Sequence, residues 1–300
     1  MTFLTKILKE PILFYFAMLY HIIRSLIKLC LHFYIKRLGW AGLENIPKDK
    51  PVLLCSTHSN SFLDALPVAS YLGRHIYELA RGDAFKKPFF SNILYGFKML
   101  PIYRQQDGEV NPLAKNEKTF QDCQELFRQN QFILIFPEGV CKNQEEVLPM
   151  KKGAAVMAQR AWREGLPLQV VPIGVYYDSF SKWGKKCDVT FGKAIQVTDF
   201  QDIEAKEFAR DFNVKVRNAM RENFPSSYHF EKNPTHWGFF GKAMYYIGWL
   251  VNAPLYLVVW LLGKKLASKG VFFDSATFGF LVILLPFYYL GLLGLYFLFK

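Results

Sequence analysis

The sequence predicts an α/β fold: a mixed sheet flanked by helices, preceded by an N-terminal helix lying in a membrane interface and followed by a C-terminal membrane hairpin. Three observations carry that expectation. Short, unalternated apolar runs recur between polar, helix-like stretches from residue 36 to about 230, the pattern of strands buried on both faces. Before them stands a long apolar segment that carries charges. After them stand two apolar segments of membrane-crossing length.

The first segment, residues 12–35, contains His21, Arg24, Lys28 and His32, charges costly in the middle of a spanning helix. An amphipathic interfacial helix, assigned residues 1–38, accommodates both features, and no small-residue cleavage site of a signal peptide follows it. The α/β domain is assigned residues 39–235. Its strands are expected at residues 52–55, 76–80, 99–103, 132–136 and 170–176, and its helices at 116–128, 153–163 and 203–223. Residues 236–300 hold the apolar segments 243–262 and 277–299, interrupted by Pro254 and Pro286, where a helix can bend. Their connector carries Lys264, Lys265 and Lys269, a bias toward the cytoplasmic side. Either a bent hairpin dipping into the cytoplasmic leaflet or a plain two-pass hairpin is therefore expected.

With 37 Lys and Arg against 25 Asp and Glu the chain carries +12, which calls for an anionic partner: phosphate, nucleic acid or an acidic lipid surface. The aromatics concentrate in apolar segments and no nucleic-acid motif is present, so the charge is assigned to anionic membrane lipids and not to nucleic acid. Cys30, Cys55, Cys123, Cys141 and Cys187 form no Cys-x-x-Cys pair and share no zinc-ligand spacing with the six His. Reduced, buried thiols and no metal site are expected.

Three stretches can carry chemistry. His58 follows the strand at 52–55, and Asp64 stands six residues on, within Ser61-Phe62-Leu63-Asp64. An imidazole is suited to take a hydroxyl proton near neutral pH, and a carboxylate on its other nitrogen fixes the tautomer. The same four residues also read as a capping box with Ser61 as N-cap, and one carboxylate can serve both roles. The second stretch, Phe136-Pro137-Glu138-Gly139, reads as a turn that exposes its carboxylate and lets a substrate approach the glycine backbone. It is followed by Lys151 and Lys152, which suit a solvated face or a substrate role equally. In the third, Arg104 ends an apolar run, where a guanidinium can clamp phosphate. No Gly-x-Ser-x-Gly elbow is present and no Cys adjoins His58, against an esterase or thioesterase.

In this order, His58 to Asp64, Arg104, Phe136 to Gly139 and Val171-Pro172-Ile173 resemble the four motifs of the glycerolipid acyltransferase superfamily, over about half the chain. The resemblance implies an acyltransferase-like sheet, a base role for His58 oriented by Asp64, phosphate binding by Arg104, and acceptor contacts from Glu138, Gly139 and Pro172. Lys151 and Lys152 lie where the family often has basic residues. Two departures stand out. The His–Asp spacing is one residue longer than usual, similar to a branch that includes glycerol-3-phosphate and dihydroxyacetone-phosphate acyltransferases. The usual Thr-Arg after the Pro-Glu-Gly turn is replaced by Val140-Cys141, leaving Lys142 as a substitute phosphate contact.

The implied activity is a membrane-bound transfer of a fatty acyl group, in phosphatidic acid synthesis, from acyl-CoA or acyl carrier protein as co-substrate to glycerol-3-phosphate, with no further cofactor. The alternatives are lysophosphatidate (1-acylglycerol-3-phosphate) as acceptor, or a non-catalytic lipid-binding protein on the same fold. The active site is expected to face the cytoplasm.

Overall fold

The computed structural model describes residues 10–144, 146–223, 239–267 and 270–300. Lys269 and the expected boundary at 235–236 lie outside the described residues. Helix α1 (Glu10–Tyr34) leads directly into strand β1 (Ile35–Ala41). There follow β2 (Val52–Ser56), α2 (Ala65–Tyr71), β3 (Ile76–Arg81), α3 (Pro88–Gly96), β4 (Met99–Ile102), α4 (Pro112–Arg128) and β5 (Phe132–Ile135). The chain continues through α5 (Gly153–Arg163), β6 (Gln169–Tyr177), β7 (Lys185–Phe191), α6 (Phe208–Asn223), α7 (Phe239–Leu266) and α8 (Phe273–Leu298).

The strands form one seven-stranded sheet in the order β1-β7-β6-β2-β5-β3-β4. Every neighbouring pair is parallel except β6 with β7. All five expected strands are present, each within one residue of its predicted limits. Two strands were not foreseen. β1 begins inside the stretch assigned to the N-terminal helix, and its Lys36 and Arg37 mask its apolar pattern; β7 opens on Lys185 and Lys186, which do the same. β1 is an edge strand, where charged residues are tolerated.

Apolar residues cover both sheet faces, as parallel strands require. On one face Leu53, Ile133 and Val170 pack against α4, α5 and α6 through Phe127, Met157 and Phe212. On the other, Leu54, Leu134 and Val171 meet α1 and α2 and also α7 and α8, through Leu31, Val68, Leu255 and Phe278. The two C-terminal helices therefore share the core of the sheet. They also keep broad apolar faces outward, including Leu250, Leu257, Ile283 and Phe287. Tyr246–Leu266 and Phe273–Leu298 are long and apolar enough to cross a membrane.

Pro254 and Pro286 lie inside continuous helices. Near Pro254, α8 reaches across: the Tyr288 hydroxyl donates to the Val251 carbonyl at 2.5 Å and that of Tyr289 to Asn252 Oδ1 at 3.0 Å. Such interhelical bonds join helices whose apolar faces cannot be told from lipid. The helix α1 is two-faced as expected, burying Tyr20, Cys30, Leu31 and Tyr34 and exposing Met18, Ile22 and Leu29.

Candidate active site

The parallel strands β2, β5, β3 and β4 end on the same edge of the sheet, and the loops leaving that edge carry the chemistry-bearing residues. The strand β2 is fully buried. Thr57 prolongs it: its N–H donates to the Ile173 carbonyl at 3.1 Å, and its hydroxyl accepts from the Val175 N–H at 2.9 Å. His58 emerges next, its side chain about 20% exposed, while Asp64 is fully buried. The His58 Nδ1 lies 3.0 Å from Asp64 Oδ2. The same oxygen accepts the Asn60 N–H at 2.8 Å.

Asp64 thus caps the first turn and holds the imidazole at once, as the sequence allows. The N-cap, however, is Asn60, not Ser61. Ser61 instead adopts a left-handed conformation with φ 53°. Burial pushes the Asp64 carboxyl up from the ordinary carboxylate range, against the opposing pull of His58 and of the Asn60 and Ser59 N–H groups.

The second turn closes over the imidazole. The Phe136 ring stacks on that of His58, with centroids 4.1 Å apart and planes 19° from parallel. Glu138 departs from its expected pose. Its carboxylate is buried, and it accepts the backbone N–H groups of His58 (3.2 Å) and Leu148 (3.3 Å). Its burial raises its pKa above the usual range. Glu138 therefore clips the His58 loop to the segment before α5 and presents no free carboxylate to an acceptor. Gly139 has φ 68°, a left-handed conformation that favours glycine, and a Cβ there would meet Lys151 Cγ at 3.0 Å.

Arg104 is not a free clamp. It binds Asp107 with two bonds, Nε to Oδ2 at 2.7 Å and Nη2 to Oδ1 at 2.9 Å, and its Nη1 donates to the Gly139 carbonyl. Arg81, at the end of β3, holds Asp83 with its fork, Nε to Oδ1 at 3.1 Å and Nη2 to Oδ2 at 2.6 Å, and stands 3.7 Å from the same Asp107. A guanidinium already holding a carboxylate, as Arg104 holds Asp107, is suited to exchange it for a phosphate. Lys142, Lys151 and Lys152 are exposed around this edge. The Lys142 N–H donates to the His58 carbonyl at 3.3 Å, and that of Lys151 to the Pro137 carbonyl at 2.7 Å. Pro172 is a buried residue of β6, opposite Cys55 of β2, and its ring lies near Gly192.

Cys141 corrects the statement that no thiol adjoins His58: distant in sequence, it is adjacent in space. The Ser61 N–H donates to its Sγ at 3.0 Å. His58, Asp64 and Cys141 hold ligand atoms within 4.8 Å of one another. Burial and the nearby Asp64 push the thiol up to about 12, so it stays protonated and non-nucleophilic at neutral pH.

Comparison with known proteins adds independent findings. A family model described as Acyltransferase matches residues 37–176. The chain is similar to 1-acyl-sn-glycerol-3-phosphate acyltransferase of Helicobacter pylori, 30% identical over 121 residues, 40% of this chain and 48% of that protein. It is also similar to a chloroplastic 1-acyl-sn-glycerol-3-phosphate acyltransferase of Brassica napus, 31% identical over 134 residues, 44% of this chain and 35% of that one. The matched stretches thus span between about a third and a half of these relatives. Among solved structures, the 1-acyl-sn-glycerophosphate acyltransferase of Thermotoga maritima aligns at TM-score 0.48 and 15% identity, covering 75% of this chain and 87% of that one.

Proposed function

We propose, with residues 37–176 belonging to the glycerolipid acyltransferase superfamily, that this chain transfers a fatty acyl group from a thioester to the free hydroxyl of 1-acylglycerol-3-phosphate. The observation that carries this reading is the buried carboxylate of Asp64 on His58 Nδ1, at a strand edge lined by Arg104, Arg81 and lysines. With Nδ1 engaged, Nε2 is the nitrogen free to take a proton. As that nitrogen removes the hydroxyl proton, the acceptor oxygen attacks the thioester carbonyl. Collapse of the tetrahedral adduct breaks the carbon–sulfur bond, and the departing thiolate takes the proton back from His58. Asp64 steadies the imidazolium formed between the two steps.

For the acceptor phosphate, Arg104 and Arg81 offer a site in which the phosphate competes with Asp107, assisted by Lys142, Lys151 and Lys152. Acyl-CoA and acyl carrier protein are both compatible as donors, and no further cofactor is invoked. The names of the similar proteins support 1-acylglycerol-3-phosphate as acceptor; the five residues between His58 and Asp64 support glycerol-3-phosphate as a second. The apolar faces of α7 and α8 support membrane attachment, with the +12 charge favouring an anionic lipid surface.

Purified full-length protein offered each acceptor with each donor tests the proposal. Turnover with 1-acylglycerol-3-phosphate is expected, and His58→Ala should lower it by about 10²–10⁴-fold while the fold is retained. Undiminished turnover in a folded His58→Ala protein would overturn the mechanism, and no turnover with any acceptor would favour a lipid-binding role.

A further inference from the structure

Four parts of the chain meet beneath the His58 loop on one buried carboxylate. Asp274, in the first turn of α8, accepts a hydrogen bond from Asn60 Nδ2 at 2.6 Å and another from the Tyr34 hydroxyl at the end of α1, and pairs with Lys185 Nζ of β7. Its neighbour Ser275 donates from its hydroxyl to the Asn60 carbonyl at 3.0 Å. The side chain and carbonyl of Asn60 are thus both held by α8. The Asn60 N–H points the other way, to the Asp64 oxygen that holds His58.

We infer that Asp274 is a positioning residue for the reaction: it fixes Asn60, and through the Asn60 N–H it aims the Asp64 carboxylate and the His58 ring. The inference rests on the acyl-transfer reading of the site. Two observations support it besides the contacts. The side chains of Lys185 and Asp274 are 0% and 1% exposed, and burying such a pair costs more than burying apolar residues of the same volume. Adhesion of α8 does not need it, since Phe278, Leu281 and Leu285 already seat the helix in the core. What a fully bonded buried pair adds is a fixed geometry. That geometry is needed because Ser61, between Asn60 and Asp64, holds a left-handed backbone with φ 53°, a conformation that persists only where its surroundings over-determine it. Asn60, bonded at three points, and the Ser61 N–H on Cys141 supply that restraint.

The test uses the full chain in nanodiscs. Asp274→Asn alone leaves Lys185 unpaired, so the informative variant is Asp274→Asn combined with Lys185→Met, with Asn60→Ala as its counterpart. Both should lower kcat by about 10–100-fold, the scale of a small misplacement at a reacting centre. KM for acceptor and donor should stay within about 2-fold, because neither residue faces substrate. Combining the two sets should add less than about 2-fold more, as expected of residues acting through one contact. A reading independent of turnover is the His58 Nδ1 proton resonance in ¹⁵N-histidine-labelled protein, which should shift or broaden in both. Wild-type kcat with an unmoved resonance would overturn the inference. So would a loss of activity that only tracks the loss of folded protein while the resonance stays in place. Should the wild-type chain transfer no acyl group, the functional reading fails by itself, and the resonance still decides whether Asp274 aims His58.

Discussion

At the scale of single residues, the site divides into what spacing reveals and what only folding brings together. The His58–Asp64 contact was legible because both partners lie within one loop and one helical turn, so their spacing restricts their geometry. Phe136, Cys141 and Asp274 were not legible as partners of that loop, because each arrives from a distant part of the chain. Glu138 shows a further limit: a Pro-Glu-Gly turn reads as an exposed carboxylate, yet two backbone N–H groups draw it inward. Arg104 carries a prediction at this scale. Its fork engages both Asp107 oxygens and the Gly139 carbonyl, a planar pattern an ammonium cannot reproduce. Arg104→Lys keeps the charge but should raise KM for the phosphorylated acceptor by about 10-fold or more, with a smaller change in KM for the thioester, as steady-state kinetics against each substrate would read.

At the scale of elements, the central strands declared themselves by continuous apolar runs, and β1 and β7 escaped because lysines and an arginine interrupt theirs. The strand β3 holds a charge where a buried strand would not be expected to carry one. Burial raises Glu78 from 4.5 to about 7. Across that window the folded chain keeps a proton that the unfolded chain has lost, so the contribution of Glu78 to stability falls as pH rises. His75, just before β3, is lowered from 6.5 to about 4, chiefly by burial, and acts with the opposite slope: its contribution is lost as pH falls. Glu78→Gln should therefore leave stability unchanged near pH ~4 and raise it by on the order of 2 kcal/mol near pH ~8, as denaturant melts at the two pH values would show.

At the scale of the whole molecule, α7 and α8 are fastened to the sheet at the end where they are joined. Gly263 of α7 packs against Thr277 of α8, and Asp274 and Ser275 underlie the His58 loop. The lysine-bearing end of the hairpin, with Lys264 and Lys265, therefore lies on the same side as the catalytic loop. Lys264→Cys should react with an impermeant maleimide from the side that holds the sheet domain, and labelling solely from the opposite side would contradict this arrangement. On the proposed reading, in which the acceptor is a lipid, the first turn of α8 has a wider consequence. Because that turn touches the loop bearing the imidazole and belongs to a helix long and apolar enough to cross a membrane, seating α8 in a bilayer would fix the height of His58 above the headgroups. On that proposal a lysolipid would be acylated without leaving its leaflet, and membrane thickness would be a variable of the rate.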